Sequence, residues 1–194
     1  MIIEEKFSSL RFNFNDKAWQ YVMKYDSEPE SPQLDYDKIN NAIVGTKAVD
    51  FIGIYREQEL TFFEVKNLKN YRIETKARIE TGDKKDERLD IEVAKKVRDT
   101  LAGIIGGARN STHQRATWKE YLKIFSNENK RIRIVLWLEQ DRIVDKERKP
   151  RAMTLHNRLL KNLNWLTSDI RIFSIDKHDF KDDLVVENLP RKKE

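Results

Sequence analysis

The sequence predicts an α/β sandwich, in which a mixed β-sheet containing an antiparallel hairpin is flanked by helices. Three observations predict it. Two apolar runs enclose a polar turn within residues 48–70, apolar residues recur at helical spacing over residues 88–109, and residues 132–138 are strongly strand-like. Because parallel strands need long crossover connections, we expect the later strands to join the hairpin through helices.

Three elements are predicted before the hairpin. Residues 6–14 alternate weakly between apolar and polar, which indicates a strand or an extended lead-in. Asn15 is a favourable helix cap, and apolar residues follow it at helical spacing, so residues 17–24 are predicted to be a helix. Residues 35–44 are predicted to be a short helix that stops at Gly45.

The elements after the hairpin follow from the same periodicities. Helices are predicted at residues 88–109, 113–125 and 150–166, an interior strand at 132–138 and a last strand at 170–175. The whole chain, 1–194, is therefore interpreted as one domain. It comprises an N-terminal part (1–46), the hairpin (47–68), helices and closing strands (88–176) and a frayed tail (186–194).

Composition narrows the class of protein. With 38 basic and 33 acidic residues the net charge is +5, which permits a polyanionic partner without requiring one. The absence of cysteine excludes disulfides and thiol catalysis, and the three histidines are too scattered to suggest a zinc site. No long apolar run is present, so we expect a cytoplasmic protein with no membrane partner.

The hairpin carries charged residues where buried strands should be apolar. Asp50 lies in the first apolar run, and Glu64 and Lys66 lie in the second. Strand alternation places Glu64 and Lys66 on one face and Val65 on the other. Charged side chains are rarely buried unless they are paired or bind a metal, so this pattern indicates either an ion-pair network or a site.

The hairpin register decides whether the three side chains share a face. Asp50, Glu64 and Lys66 have even numbers, so they share a face only if the loop has an odd number of residues or contains a bulge. Loops centred on Glu57 or Gln58 meet this condition. A two-residue turn at Glu57 and Gln58 would send Asp50 to the opposite face.

The hairpin resembles the active-site hairpin of the PD-(D/E)XK nuclease superfamily, which is restriction-endonuclease-like. Asp50 matches the acid of the first motif, although Val49 stands where proline is usual, and Glu64-Val65-Lys66 matches E-x-K. The resemblance implies a mixed sheet of four to five strands, magnesium or manganese as cofactor, and cleavage of DNA. The member family is not identified.

The E-x-K spacing alone carries little information in this chain. An acid two residues before a lysine occurs seven times, beginning at Glu4, Glu64, Glu74, Asp83, Glu128, Glu147 and Asp179. Only Glu64 follows an uninterrupted apolar run that is itself preceded by an apolar run containing an aspartate. The competing interpretation is a half-exposed hairpin in which Asp50 and Lys66 form a cross-strand ion pair.

The residue types fit metal-dependent hydrolysis. Hard cations such as Mg²⁺ take oxygen ligands, so Asp50 and Glu64 are candidate metal ligands, with the Val65 carbonyl as a third. Lys66 is the candidate for orienting the attacking water and stabilising charge on the phosphate.

Further site residues are less specific. Asp37 is the candidate additional acid, although a role at a helix start explains it equally well. Lys47, Lys69 and Arg72 are candidate nucleic-acid contacts. The ten basic and seven acidic residues from Lys69 to Arg98 also fit a solvated, salt-bridged face.

Three functions remain open from the sequence. The first is a metal-dependent nuclease, the second a non-cleaving nuclease-like accessory protein that binds nucleic acid, and the third a protein-interaction domain with an ion-pair network. A single small domain cuts one strand per active site, so double-strand cleavage would suggest a homodimer. The sequence leaves open the choice between DNA and RNA, the oligomeric state and a protein partner.

Overall fold

The computed structural model describes residues 1–25, 45–69, 88–112, 114–141 and 145–190, with the backbone alone for residues 145–149. This part of the chain is an α/β protein with three helices, a five-stranded mixed sheet and a three-stranded antiparallel sheet. The strands are β1 (Ile2–Glu5), β2 (Leu10–Phe14), β3 (Trp19–Lys24), β4 (Phe51–Tyr55), β5 (Glu59–Leu68), β6 (Arg131–Gln140), β7 (Ile170–Phe173) and β8 (Leu184–Asn188). The helices are α1 (Leu89–Asn110), α2 (Arg115–Phe125) and α3 (Asp145–Leu163).

The large sheet has the strand order β3-β4-β5-β6-β7. Strands β3, β4 and β5 are antiparallel neighbours, whereas β6 is parallel to β5 and β7 is parallel to β6. Helices α1 and α2 lie between β5 and β6 in the sequence, and α3 lies between β6 and β7, as parallel neighbours require. The predicted antiparallel hairpin and helical crossovers are confirmed.

Two apolar cores cover the two faces of this sheet. On one face, Ile52 and Phe62 of the hairpin pack in a cluster with side chains of all three helices; we call it the helix-side core. On the other face, Phe51 and Phe63 pack with Phe12 and other residues of the small sheet, in what we call the sheet-side core. Alternate residues of each hairpin strand therefore pack in different layers, which explains why both strands carry apolar residues on both faces.

The helix predicted for residues 17–24 is wrong, because residues 17 and 18 lie in a turn and residues 19–24 form β3. Trp19 and Val22 are both buried and three residues apart, which imitates helical spacing. The spacing arises from a β-bulge between Gln20 and Met23, where the pairing with β4 shifts and Tyr21 adopts a φ of 51°. A bulge breaks the two-residue period of a strand, so periodicity alone misassigns it. Asn15 instead caps a turn by accepting a hydrogen bond from the Lys17 amide.

The ends of the chain form the small sheet. Residues 6–14, predicted as one extended segment, contain a turn followed by β2, which pairs with β1 and with β8 in the order β1-β2-β8. The predicted frayed tail, 186–194, is corrected for residues 186–188, which belong to β8. Phe12 pairs with Val186, so contacts between the two ends of the chain order this segment.

The C-terminal predictions agree with the structure in kind and differ at their boundaries. The long helix, the following helix and the interior strand appear as α1, α2 and β6. The helix predicted for 150–166 begins earlier, at Asp145, with Pro150 inside it. A proline at this position removes one backbone hydrogen bond without excluding the helix when its carbonyl partner reaches water. The predicted strand 170–175 ends at Phe173.

Gly107 allows α1 to approach α2. A Cβ atom added at Gly107 would lie 2.8 Å from Cδ2 of Trp118, whose ring is fully buried, whereas a Cβ atom at Gly106 would meet no atom within 4 Å. We expect Gly107→Ala to lower the free energy of unfolding by about 1–3 kcal/mol through overpacking. Gly106→Ala is the matched control and should raise it by up to about 1 kcal/mol through helix propensity. Urea unfolding measures both, and equal effects would contradict the packing explanation.

Candidate active site

The hairpin loop has the length that a shared face requires. Tyr55 pairs with Glu59 and Phe51 pairs with Phe63, which leaves a three-residue loop centred on Glu57. Arg56 and Glu57 both have positive φ angles, 49° and 57°, which the reversal of the chain imposes. The odd loop length meets the register condition stated from the sequence.

Asp50 lies immediately before β4 and is held by the backbone of β5. Its amide donates to the Phe63 carbonyl at 3.0 Å. Its carboxylate Oδ2 accepts a hydrogen bond from the Val65 amide at 2.6 Å. The Val65 carbonyl points to the same edge of β5 as the Phe63 carbonyl, because backbone groups alternate along a strand. The carboxylate of Asp50 is therefore fixed at the point where β4 stops pairing with β5.

Helix α1 holds the chain that leads into Asp50. The Lys47 amide donates to Oδ2 of Asp99 at 3.0 Å, and the Val49 amide donates to Oγ1 of the fully buried Thr100 at 3.0 Å. These bonds satisfy backbone donors outside the sheet ladder. Two consecutive residues of α1 thus determine where β4 begins.

Glu64 is the most buried charged residue near Asp50, with 1% of its surface exposed. Its Oε1 atom lies 2.8 Å from the Lys66 ammonium and 2.8 Å from the Lys96 ammonium. Its Oε2 atom has no hydrogen-bond partner among the described residues. Since a buried carboxylate oxygen normally has a partner, Oε2 is an available ligand atom.

Glu92 and Lys96 of α1 complete a chain of alternating charges, which we call the charged cluster. Lys96 lies 3.4 Å from Oδ1 of Asp50, and Lys66 lies 3.0 Å from Oε1 of Glu92. The order is Asp50, Lys96, Glu64, Lys66, Glu92, and the net charge is −1 when all five groups are ionised.

Sequence reasoning placed Glu92 and Lys96 in a solvated charged run and missed their position in the site. A signal was present, because Lys96 lies three residues after the fully buried Val93 and directly before the fully buried Val97. A lysine within the apolar stripe of a helix must be buried with a partner.

The pKa values of Glu64 and Lys66 are shifted in the charged cluster. Burial raises the pKa of Glu64 to about 7, the charge of Asp50 acts in the same direction, and the charges of Lys96 and Lys66 oppose them. Burial lowers the pKa of Lys66, but the charges of Glu64 and Glu92 and the hydrogen bond to Glu64 together outweigh it, so the pKa stands above its ordinary value. Lys66 is therefore an ammonium ion at neutral pH, while Glu64 is near its point of ionisation.

Two of the other predicted site residues, Lys47 and Lys69, lie outside the charged cluster. Lys69 pairs with Oε2 of Glu139 at 3.1 Å, on the sheet side of β6, and lines a cavity of about 400 Å³. Lys47 is half-buried at the segment before Asp50. Asp37 and Arg72 lie outside the described residues.

Glu139, which follows the apolar run in β6, is buried. It accepts hydrogen bonds from Nε1 of Trp137 and from the Ile175 amide, in addition to its pair with Lys69. Its contacts are those of a structural carboxylate that joins β6 to the chain after β7.

The charged cluster fits a hard divalent cation through Asp50 and Glu64, two of its three carboxylates. Among the described residues, no group of three or more histidine, cysteine, aspartate or glutamate side chains is arranged to hold a metal. Mg²⁺ is commonly held by only one or two protein carboxylates, with water and phosphate oxygens as its other ligands. Asp50 and Glu64, with the unpartnered Oε2 atom, meet that requirement.

Comparison with protein-family models, with curated proteins and with solved structures finds no match for this chain. Among the helices of the described residues, none has the length and apolar character needed to cross a membrane. The basis for a function is therefore the chemistry of the charged cluster.

Proposed function

We propose that this protein is a divalent-metal-dependent nuclease of the PD-(D/E)XK type, acting on DNA. One observation carries the proposal: Asp50, Glu64 and Lys66 lie together on the helix side of the hairpin. Lys96 contacts both Asp50 and Glu64, and Lys66 contacts Glu64. Buried ionisable groups with shifted pKa values cluster preferentially at functional sites.

The residues Asp50 and Glu64 would hold Mg²⁺ or Mn²⁺, with the Val65 carbonyl as a third ligand. A metal held there would lower the pKa of bound water and neutralise charge on the phosphate. The backbone bond from Val65 to Asp50 keeps that carboxylate in one orientation, which preorganises the site.

Lys66 would act on the reacting phosphate. Its ammonium is held between Glu64 and Glu92, and 20% of its side-chain surface is exposed, so it can reach a bound substrate. A fixed positive charge at a partly buried position stabilises the charge that develops on a phosphate oxygen. Glu92 would limit the directions in which the lysine can turn.

The sheet topology supports the finer assignment of the fold. We propose a restriction-endonuclease-like sandwich, in which β4 and β5 form the catalytic hairpin and β6 and β7 extend the sheet in parallel. The sheet-side core lies on the opposite face of the large sheet from the site.

Stability alone is a weak reason to keep this cluster. Ion pairs in the interior are often no more stabilising than apolar residues of the same volume, because both charges lose their hydration. Five ionisable groups linked across β4, β5 and α1 are better explained by a chemical role than by a structural one.

A non-cleaving nuclease-like protein is the second candidate. The observation that favours it is the pairing itself: every carboxylate of the cluster already contacts a lysine, as it would in a purely structural network. Such a protein would bind nucleic acid as an accessory subunit without hydrolysing it.

Metal binding and cleavage, measured together, test the proposal. Mn²⁺ binding is titrated by calorimetry, and linear, circular, single-stranded and branched DNA and RNA are incubated with Mg²⁺, Mn²⁺ or EDTA. We expect Mn²⁺ binding and metal-dependent cleavage, and we expect Asp50→Asn to weaken Mn²⁺ affinity by about 10- to 100-fold. Glu128→Gln, at the exposed acid of the Glu128-Asn129-Lys130 motif, is the matched control and should change neither.

The outcomes separate the candidates. Binding of Mn²⁺ without cleavage of any substrate would favour the accessory protein. No Mn²⁺ binding and no cleavage would refute the proposal and leave an ion-pair network. Cleavage that survives in Asp50→Asn would place the activity at another site.

A further inference from the structure

Lys96 occupies a central position between the two candidate metal ligands. Its ammonium lies 2.8 Å from Oε1 of Glu64 and 3.4 Å from Oδ1 of Asp50, and 9% of the residue is exposed. It is the group through which these carboxylates are linked, because Lys66 contacts Glu64 and Glu92 instead.

The two oxygens of Asp50 are not equivalent. Oδ2 accepts the Val65 amide hydrogen at 2.6 Å, a bond that places the carboxylate. Oδ1 is therefore the oxygen left for a metal, and it is the oxygen that Lys96 reaches. An ammonium and a divalent cation at the same oxygen repel each other strongly in a partly buried site.

We propose that the Lys96 ammonium competes with the divalent metal for the carboxylates of Asp50 and Glu64. This competition lowers the affinity of the site for the metal. This inference rests on the proposed function. Lys96 holds the two carboxylates close together in the metal-free protein and must turn away from Asp50 when the metal binds. It is a positioning residue, since it acts on the metal ligands.

The surrounding structure allows this exchange. The backbone of α1 is fixed by the fully buried Val93 and Val97 on either side of Lys96, and by the bond from Val49 to Thr100. The ammonium is carried on a flexible four-carbon chain, so it can leave Asp50 without movement of the helix. Arginine could not do this as easily, because its planar group would hold a carboxylate at two points.

Mn²⁺ calorimetry on the intact chain tests the inference. We expect Lys96→Met to tighten Mn²⁺ binding by about fivefold or more, the range typical of coupled binding events. Lys96→Gln should act in the same direction. The matched control, Lys95→Met, removes an equal charge one residue earlier on α1 and should leave the affinity within about twofold of wild type.

Thermal unfolding supplies a readout that does not depend on activity. Without metal, Lys96→Met should melt below wild type, since Asp50 then loses its lysine partner and only Lys66 remains beside Glu64. Saturating Mn²⁺ should raise the melting temperature of the variant more than that of wild type.

The possible results are distinguishable. Mn²⁺ affinity that is unchanged or weaker in both Lys96 variants, while wild type binds, overturns this inference and leaves the proposed function standing. Measurable Mn²⁺ binding in wild type that becomes tighter in both Lys96 variants supports the inference. No binding in wild type or either variant overturns the inference and the proposed function together.

Discussion

Replacement of Lys66 by methionine is expected to lower the rate of metal-dependent cleavage by about 10³-fold. The substitution removes a positive charge that is held by two carboxylates and is therefore already oriented when substrate binds. Methionine keeps much of the length and volume of the side chain, so the helix-side packing should persist. Single-turnover cleavage rates at saturating Mn²⁺ measure the effect.

Metal binding separates a role of Lys66 in the reaction from a role in holding the metal. Mn²⁺ affinity in Lys66→Met should stay within a few fold of wild type or become tighter, since a charge that repels the metal is lost. Lys119→Met, at an exposed position of α2, is the matched control and should cleave at the wild-type rate. A cleavage rate in Lys66→Met within tenfold of wild type would show that Lys66 does not take part in the reaction.

The metal-free protein is expected to lose stability between pH 5 and pH 8 because of Glu64. Its pKa is 4.5 in an ordinary environment and about 7 in the fold, so the folded state holds a proton that the unfolded state has released. The contribution of Glu64 to the free energy of unfolding therefore falls as the pH rises through this window and is constant above it. This pKa shift of Glu64 lowers the free energy of unfolding by roughly 3 kcal/mol at pH 8 compared with acidic pH.

Glu64→Gln isolates this contribution. Glutamine imitates the protonated acid, so the difference in unfolding free energy between wild type and Glu64→Gln should change by up to roughly 3 kcal/mol between pH 5 and pH 8. Urea titrations at both pH values measure it, and ionisable groups that do not interact with Glu64 cancel in the difference. Saturating Mn²⁺ should reduce the pH dependence in wild type, because a metal-bound carboxylate stays ionised. A difference that is independent of pH would show that Glu64 is not shifted.

The hairpin was predictable because its signals are local. Apolar runs of strand length, separated by a polar segment, specify two adjacent strands, and the parity of residues 50, 64 and 66 limits the loop to an odd length. The structure shows a loop centred on Glu57, one of the two centres that parity allows. Helices α1 and α2 were predictable for the same reason, since each is a long periodic segment.

The small sheet and β3 were not predictable from local pattern. The β3 bulge at Tyr21 imitates the spacing of a helix, and only the pairing with β4 shows it to be a strand. Strand β8 pairs with β2, which is distant from it in the sequence, so no neighbouring residue indicates its partner. Long-range pairing overrides local preference in such segments.

Part of the charged cluster was predictable. The sequence identified its three hairpin residues, Asp50, Glu64 and Lys66, because charged residues inside apolar runs are conspicuous. Glu92 and Lys96 lie on a different element, and the choice of their partners depends on which turn of α1 packs against β5. The pairing found is Asp50 with Lys96, and not the cross-strand pair of Asp50 with Lys66 considered from the sequence.

The sequence by itself determined the hairpin, the long helices, the interior strand β6 and the three charged residues that converge on one face. These features depend on periodicity and parity over a few residues, which any chain of this sequence carries before it folds. Only the tertiary structure decided that Lys96 lies between Asp50 and Glu64, that Lys69 pairs with Glu139 instead of joining the site, and that the chain ends pair in a second sheet. These contacts join residues far apart in the sequence, and their energies depend on distance and burial that no local pattern contains.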